Sequence, residues 1–342
     1  MNSPAIVAVG PLGFPWRTID PFLFCVHHDD AYPAGNEAMG PAATLSGRNL
    51  GQDFAGKDGW NMYHGITVPG FPAHPHRGFE TVTIVRKGFI DHSDSLGATA
   101  RFGAGDTQWL TAGQGIVHAE MFPLRERDRA NPLELFQIWL NLPARLKMVE
   151  AHFTMLWSED MPRQQVTDDA GRATEVVCIA GQYAASMPAT APPNSWASQA
   201  GADVAIWTIK MQKGARWTLP AANGGAATRR QMYFFKGHAV TIDGQQVAAS
   251  AAIELNASSE VAIENGNEVS EFLLLHGRPI NEPVAQHGPF VMNANAEIVQ
   301  AFADYRRTEF GGWPWPDQAP VLSREQSRFA KHADGRVETR EA

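Results

Sequence analysis

Turn residues interrupt this chain so often that no long helix can run through it. Its 31 glycines and 23 prolines are scattered through 342 residues and do not form tracts. Glycine weakens a helix or strand interior, and proline removes a backbone donor, so both act as punctuation. The runs between them are short and rich in β-branched and aromatic residues, as at 81–85, 136–140, 204–209, 232–235, 240–242 and 272–275. Many short strands joined by glycine-rich turns predict an all-β sandwich or barrel. Asp243-Gly244 between two such runs predicts a type I′ hairpin. Helical spacing is convincing only over 296–305, where Ile298, Ala301, Phe302 and Tyr305 share a face and Asn295 is the expected cap.

The length corresponds to about two domains at roughly 150 residues each. Expected boundaries are 1–145, 146–310 and a C-terminal extension, 311–342. Residues 182–202, rich in Ala, Ser and Pro, predict a long surface loop. The extension has few apolar anchors and is expected to be solvated, or else to be an arm packing on a second subunit. A hydrophobic content of 44%, with 19% charged residues, excludes a disordered or fibrous chain. The net charge of −8 argues against a direct nucleic-acid surface and permits a basic protein partner. Cys25 and Cys178 form no CxxC motif and are expected to be buried small hydrophobes. The N-terminus lacks a basic leader, and its apolar run ends at Gly10-Pro11. With no apolar stretch near the ~20 residues of a membrane span, the expectation is a soluble, cytoplasmic protein. Nothing in the sequence speaks to its oligomeric state.

The chemistry concentrates in two segments. In Gly70-Phe-Pro-Ala-His74-Pro-His76-Arg-Gly-Phe-Glu80, two histidines stand at i and i+2. Alternate side chains on a strand share one face, so both imidazoles can point at one spot. Pro75 cannot donate to a ladder, which places this run at a strand start or a sheet edge. Glu80 has the same parity and joins the set if the strand continues without a bulge. In Thr111-Ala-Gly-Gln-Gly-Ile-Val-His118-Ala-Glu120, glycine turns deliver a second i, i+2 pair. Two such pairs on facing strands bring three imidazoles and a carboxylate to one point, a donor set suited to Fe, Mn, Ni, Cu or Zn. Burying four such groups together without a metal would be costly. Trp60, Tyr63, Phe71, Phe79, Trp109 and Phe122 flank these segments as core or as an aromatic wall. His64 and Arg77 are candidate polar groups, with Arg77 of the outward parity.

These segments resemble the two cupin motifs. More specifically HPHRGFETVT, TAGQGIVHAEM and the later EPVAQHGPFVMN resemble the pirin family over about residues 45–310. The resemblance implies a bicupin, two tandem cupin β-barrel (jelly-roll) domains. It implies one metal ion, Fe²⁺ first among the alternatives Mn, Ni, Zn and Cu, on His74, His76, His118 and Glu120. It also implies that Glu80 sits behind the ligands. At Thr111 the chain departs from cupins that carry proline there. The second half has only isolated histidines, His238, His276 and His287, and is expected to be a degenerate barrel without metal.

The implied activity is that of a flavonol (quercetin) 2,3-dioxygenase, with a small phenolic or flavonoid-like substrate and dioxygen meeting at the metal, and Glu120 or Glu80 accepting the substrate's proton. The alternatives are a non-catalytic, iron-dependent regulatory protein with a protein partner, and a bicupin that binds a metabolite without turnover.

Overall fold

The computed structural model describes residues 4–341; Met1 to Ser3 and Ala342 lie outside the described residues. Strands dominate, as the turn density requires, and the chain forms two compact units. The histidine unit comprises His27–Gln137, Ala144–Ser158 and the chain from Glu282 onward. The other unit comprises the chain up to Val26, Ile138–Pro143 and Glu159–Asn281. These units cut across the linear boundaries expected at 145 and 310. Strand pairing is the reason: His152–Leu156 pairs with Thr107–Thr111, and Phe329–Lys331 pairs with Thr99–Gly103.

Two sheets supply the strands of the histidine unit, which includes Leu133–Asn141 only as far as Gln137 and Phe22–Asp30 only from His27. In the six-stranded one the order is Val337–Thr339, Phe329–Lys331, Thr99–Gly103, Phe89–Asp94, Ile116–Met121 and Gly70–His76. Gly70–His76 is an edge strand, as Pro75 demands. A five-stranded sheet carries His152–Leu156, Thr107–Thr111, Phe79–Lys87, Leu133–Asn141 and Phe22–Asp30 in that order. Phe102, Leu110, Ile116, Phe122, Phe153 and Trp157 belong to its apolar core. In the other unit a seven-stranded and a four-stranded sheet enclose a core that includes Trp207, Met232, Phe234, Ile253, Phe272 and Leu274. The Asp243-Gly244 turn has positive φ at both residues and joins Ile242 to Gln245, the hairpin its sequence predicts. Cys25 and Cys178 are buried free thiols. No helix among the described residues is long and apolar enough to cross a membrane.

Two expectations are corrected. The helix spans Asn295–Thr308, so Asn295 is its first residue and not its cap. The cap position is Ala294, and the Glu297 carboxylate accepts the N–H groups of Asn293 and Ala294.

The second correction concerns the extension, which is not frayed: it adds two strands to the six-stranded sheet, and Ala330 is fully buried. The cause lies at Arg101, fully buried on Thr99–Gly103. Asp91 takes two of its N–H groups at 2.6 Å each. A guanidinium has five donors, and the rest are met by the extension. Nη1 donates to the carbonyls of Ser323 (2.7 Å) and Gln326 (3.0 Å). The Leu322 N–H in turn donates to Asp91.

Breaking a buried ion pair strands the partner charge, at about 3–5 kcal/mol. Arg101→Met is therefore expected to lower the urea stability of the histidine unit by about that amount. The exposed Arg129→Ala, whose partner is Glu126, should leave the midpoint in place. Equal midpoints for the two variants would show that the extension is not held this way.

Candidate metal centre

The strands Gly70–His76 and Ile116–Met121 are antiparallel neighbours, and His74 stands directly opposite His118. The two i, i+2 pairs therefore share one sheet and do not face each other across a barrel. His76 lies two residues along one strand and Glu120 two along the other, on the same face. One nitrogen from each of His74, His76 and His118 falls within 4.8 Å of the others. The Glu120 carboxylate approaches His118 Nε2 at 3.8 Å. Gly70 makes the approach possible: its φ is +132°, and a Cβ there would stand 2.4 Å from the Glu120 carbonyl oxygen.

The environment prepares these nitrogens for a cation. A carbonyl only accepts, so the 2.9 Å bond from His74 Nδ1 to the Pro72 oxygen fixes the proton on Nδ1 and leaves the Nε2 lone pair for a ligand. The Pro289 carbonyl accepts from His76 Nδ1 at 3.4 Å. His118 is fully buried, and neither of its nitrogens has a hydrogen-bond partner. Two orphaned buried nitrogens beside two other imidazoles are costly unless something binds them. Burial lowers the pKa of all three rings, His74 to about 4 and His76 and His118 well below the usual value, which keeps them neutral as metal ligation requires. Burial raises Glu120 to about 6. The donor set fits a divalent transition metal.

Two family models match the chain: Pirin over residues 13–140 and the Pirin C-terminal cupin domain over 206–311. Human Pirin is 36% identical over 259 residues, covering 74% of this chain and 81% of its own. The chain belongs to the pirin family. A Pseudomonas aeruginosa protein named "Putative quercetin 2,3-dioxygenase" is 36% identical over 243 residues, covering 70% of this chain and 79% of its own. A crystal structure titled quercetin 2,3-dioxygenase from Acinetobacter baumannii superposes with a TM-score of 0.70 at 25% identity, covering 90% of this chain and 98% of that one.

Within this pirin scaffold the structure separates the two candidate carboxylates. Glu80 does not join the cluster. Gly78, with φ +87°, breaks the strand between His76 and Phe79, and parity is not carried through the turn. Pairing from Glu80 to Ile84 with Thr111 to Thr107 is then continuous, so Glu80 lies on the opposite face from Thr83. Its carboxylate accepts from the Thr111 hydroxyl at 2.6 Å, at the position where many cupins have proline. Thr83, by contrast, is on the cluster side, 3.2 Å from Glu120 Oε1. The Gln137 amide donates to Glu120 Oε2 at 3.4 Å.

Most of the flanking aromatics are core. Trp60, Tyr63 and Phe122 belong to the buried cluster, Phe79 packs on His76, and Trp109 is on the Glu80 face. Phe71 alone of the six is partly exposed, stacked on Tyr63 at 5.1 Å and 6.3 Å from the His74 ring. The exposed His64 hydrogen-bonds to the Gly51 carbonyl. Arg77 is not turned to solvent: it binds the Gln114 carbonyl and Asp304 and covers the Phe310 ring.

Sequence reasoning missed His92, which stands opposite Glu120 on the adjacent strand. Its ring lies 5.6 Å from that of His118, and its Nε2 is 3.1 Å from Asp94. The signal was present, since His92 and Asp94 are a third i, i+2 pair.

The lowered imidazoles make the metal-free protein acid-sensitive. Below pH 6.5 the unfolded chain takes up protons that folded His74 refuses until about 4 and that His76 and His118, also lowered by burial, resist, so stability falls as pH drops through this window. Glu120 acts in the opposite sense between 4.5 and about 6, one group against three. Urea midpoints of metal-free protein should be level between pH 6.5 and the region near 8 where Lys147 begins to titrate, and decline below 6.5. A His118→Leu variant should show a shallower decline, and identical slopes would remove the assignment.

Proposed function

We propose that this pirin-family chain is a metal-dependent dioxygenase of the quercetin 2,3-dioxygenase type. The cluster of three neutral imidazoles beside Glu120 carries the reading, and relatives bearing that name support it. His74, His76, His118 and Glu120 would hold one divalent ion, with iron as our first choice. Such an ion contributes Lewis acidity toward a phenolic hydroxyl and redox capacity toward dioxygen.

The protein's own part is proton handling, orientation and exclusion of water. Glu120, the carboxylate beside the three imidazoles, would accept the substrate's proton. The Gln137 amide donates to one of its oxygens and is itself fixed by the Thr83 hydroxyl, which donates to the Gln137 oxygen at 2.5 Å, so the carboxylate is oriented before substrate arrives. Phe71 offers a flat apolar face within reach of the cluster, suited to an aromatic substrate. Glu80 takes no part in proton transfer, because it is bonded to Thr111 on the other face of its strand.

The test is oxygen uptake by Fe²⁺-reconstituted protein with quercetin. His118→Ala is expected to lose bound metal and activity together. Glu120→Gln should lower turnover by about 10²–10⁴-fold, while Glu80→Gln, which can still accept from Thr111, stays within a few-fold of wild type. No uptake by protein shown to be iron-loaded would overturn the dioxygenase reading under iron. Equal losses in the two glutamate variants would overturn the division of labour.

A further inference from the structure

The other unit contains a polar site that the metal chemistry does not use. Arg230 is fully buried, and the Asp203 carboxylate acts on its charge without making a direct ion pair with it. It stands directly across from His276 on neighbouring antiparallel strands. Its Nε donates to His276 Nδ1 at 3.3 Å, its Nη1 donates to the Pro220 carbonyl at 2.8 Å, and its Nη2 has no partner. A guanidinium can only donate, so His276 Nδ1 is the acceptor and the ring proton sits on Nε2. Burial and the adjacent Arg230 push the pKa of His276 down to about 3, consistent with a neutral ring.

His276 lines a cavity of about 210 Å³ together with Trp207, Asp203, Gln182 and Asn223. The Trp207 ring meets the imidazole edge-on at 5.6 Å. Across the cavity lining, Asp203 Oδ2 accepts from the Gly224 N–H and the Thr228 hydroxyl, while no hydrogen bond to Oδ1 occurs among the described residues. The cavity thus combines a fixed N–H donor, backed by the buried Arg230 charge, with a carboxylate oxygen able to accept. A buried guanidinium with one nitrogen left without a partner is costly, and an anionic ligand in its field relieves part of that cost. The volume is below the usual 300–1,000 Å³ of drug-sized sites, which restricts the ligand to a few heavy atoms.

We propose that this cavity binds a small carboxylic acid bearing a neighbouring hydroxyl or ammonium group. Its carboxylate accepts from His276 Nε2–H in the field of Arg230, its donor group meets Asp203, and its carbon skeleton lies against Trp207. The site is independent of the histidine cluster and of any oxygenase activity.

The probes are glycolate, glycine and acetate, each titrated into full-length protein by calorimetry while the His276 ring is followed in ¹⁵N–¹H correlation spectra. Expected are the Nε2–H tautomer in free protein, and saturable binding of glycolate or glycine that moves the His276 signal. Acetate, lacking the donor for Asp203, should bind roughly tenfold more weakly. His276→Phe keeps the aromatic contact to Trp207 and should abolish binding. Asp203→Asn suits the positive φ of that position and should weaken glycine more than glycolate. The Nδ1–H tautomer in wild type, the absence of saturation by all three probes in the millimolar range, or unchanged binding in His276→Phe would each overturn the proposal. The tautomer reading needs no variant and stands even where a substitution impairs folding.

Discussion

Every distance at the histidine cluster depends on one backbone interaction, the antiparallel pairing of Gly70–His76 with Ile116–Met121. It sets His74 against His118, and the two-residue period of a strand then places His76 and Glu120. A slip of one residue would send all four side chains to the other face. The register is secured at both ends. Gly70 lets the strand approach the Glu120 backbone. Beyond His76, the buried Lys147 ammonium donates to the carbonyls of Gly78 (2.8 Å) and Val291 (3.3 Å), and Arg77 ties the same turn to the Gln114 carbonyl and Asp304. Lys147 makes these bonds at the cost of burial, which lowers its pKa to about 8.

The buried charges at Arg101 and Lys147 organise distant segments of the chain. Each is a multi-donor cation whose unmet N–H groups must find acceptors within the protein. Backbone carbonyls of the extension serve Arg101, and those of Gly78 and Val291 serve Lys147. The C-terminal chain from Glu282 is therefore part of the histidine unit for a hydrogen-bonding reason as much as an apolar one. The helix of this segment was marked by its apolar spacing, but beyond Pro316 few hydrophobic residues mark the chain and no such periodicity is present.

What could be read from the sequence follows from the range of each interaction. The β class, the Asp243-Gly244 hairpin and the edge position of Pro75 are local properties of backbone chemistry, and each is found. Convergence of the three histidines was legible because strand parity converts spacing into direction. Parity is also where the reading failed. Counting from His76 to Glu80 assumes an unbroken strand, and the positive φ of Gly78 resets the count. Glycine at that position was visible; its conformation was not. The His92/Asp94 spacing was visible, but its place beside Glu120 is made by cross-strand pairing, which a linear pattern does not contain. The role of Arg101 was invisible for the same reason, since its acceptors lie more than 220 residues away.

The two units use one device with different contents. In the histidine unit a cross-strand pair, His74 and His118, is extended by polar residues two positions on, and the result is a cluster of nitrogens with open lone pairs. In the other unit the cross-strand pair Arg230 and His276 is followed along the same strands by Met232, Phe234, Phe272 and Leu274, which fill the interior. The apolar neighbours close off the barrel and confine polarity to the strand ends, so a lone imidazole there is committed by Arg230 to donate rather than to ligate. A histidine's chemistry is thus decided by what occupies its second nitrogen. A carbonyl accepting from Nδ1 frees His74 Nε2 for a cation, whereas a guanidinium donating to Nδ1 turns His276 Nε2–H toward an anion. Similar sheets therefore support opposite ligand preferences, and the distinction rests on one hydrogen bond in each unit.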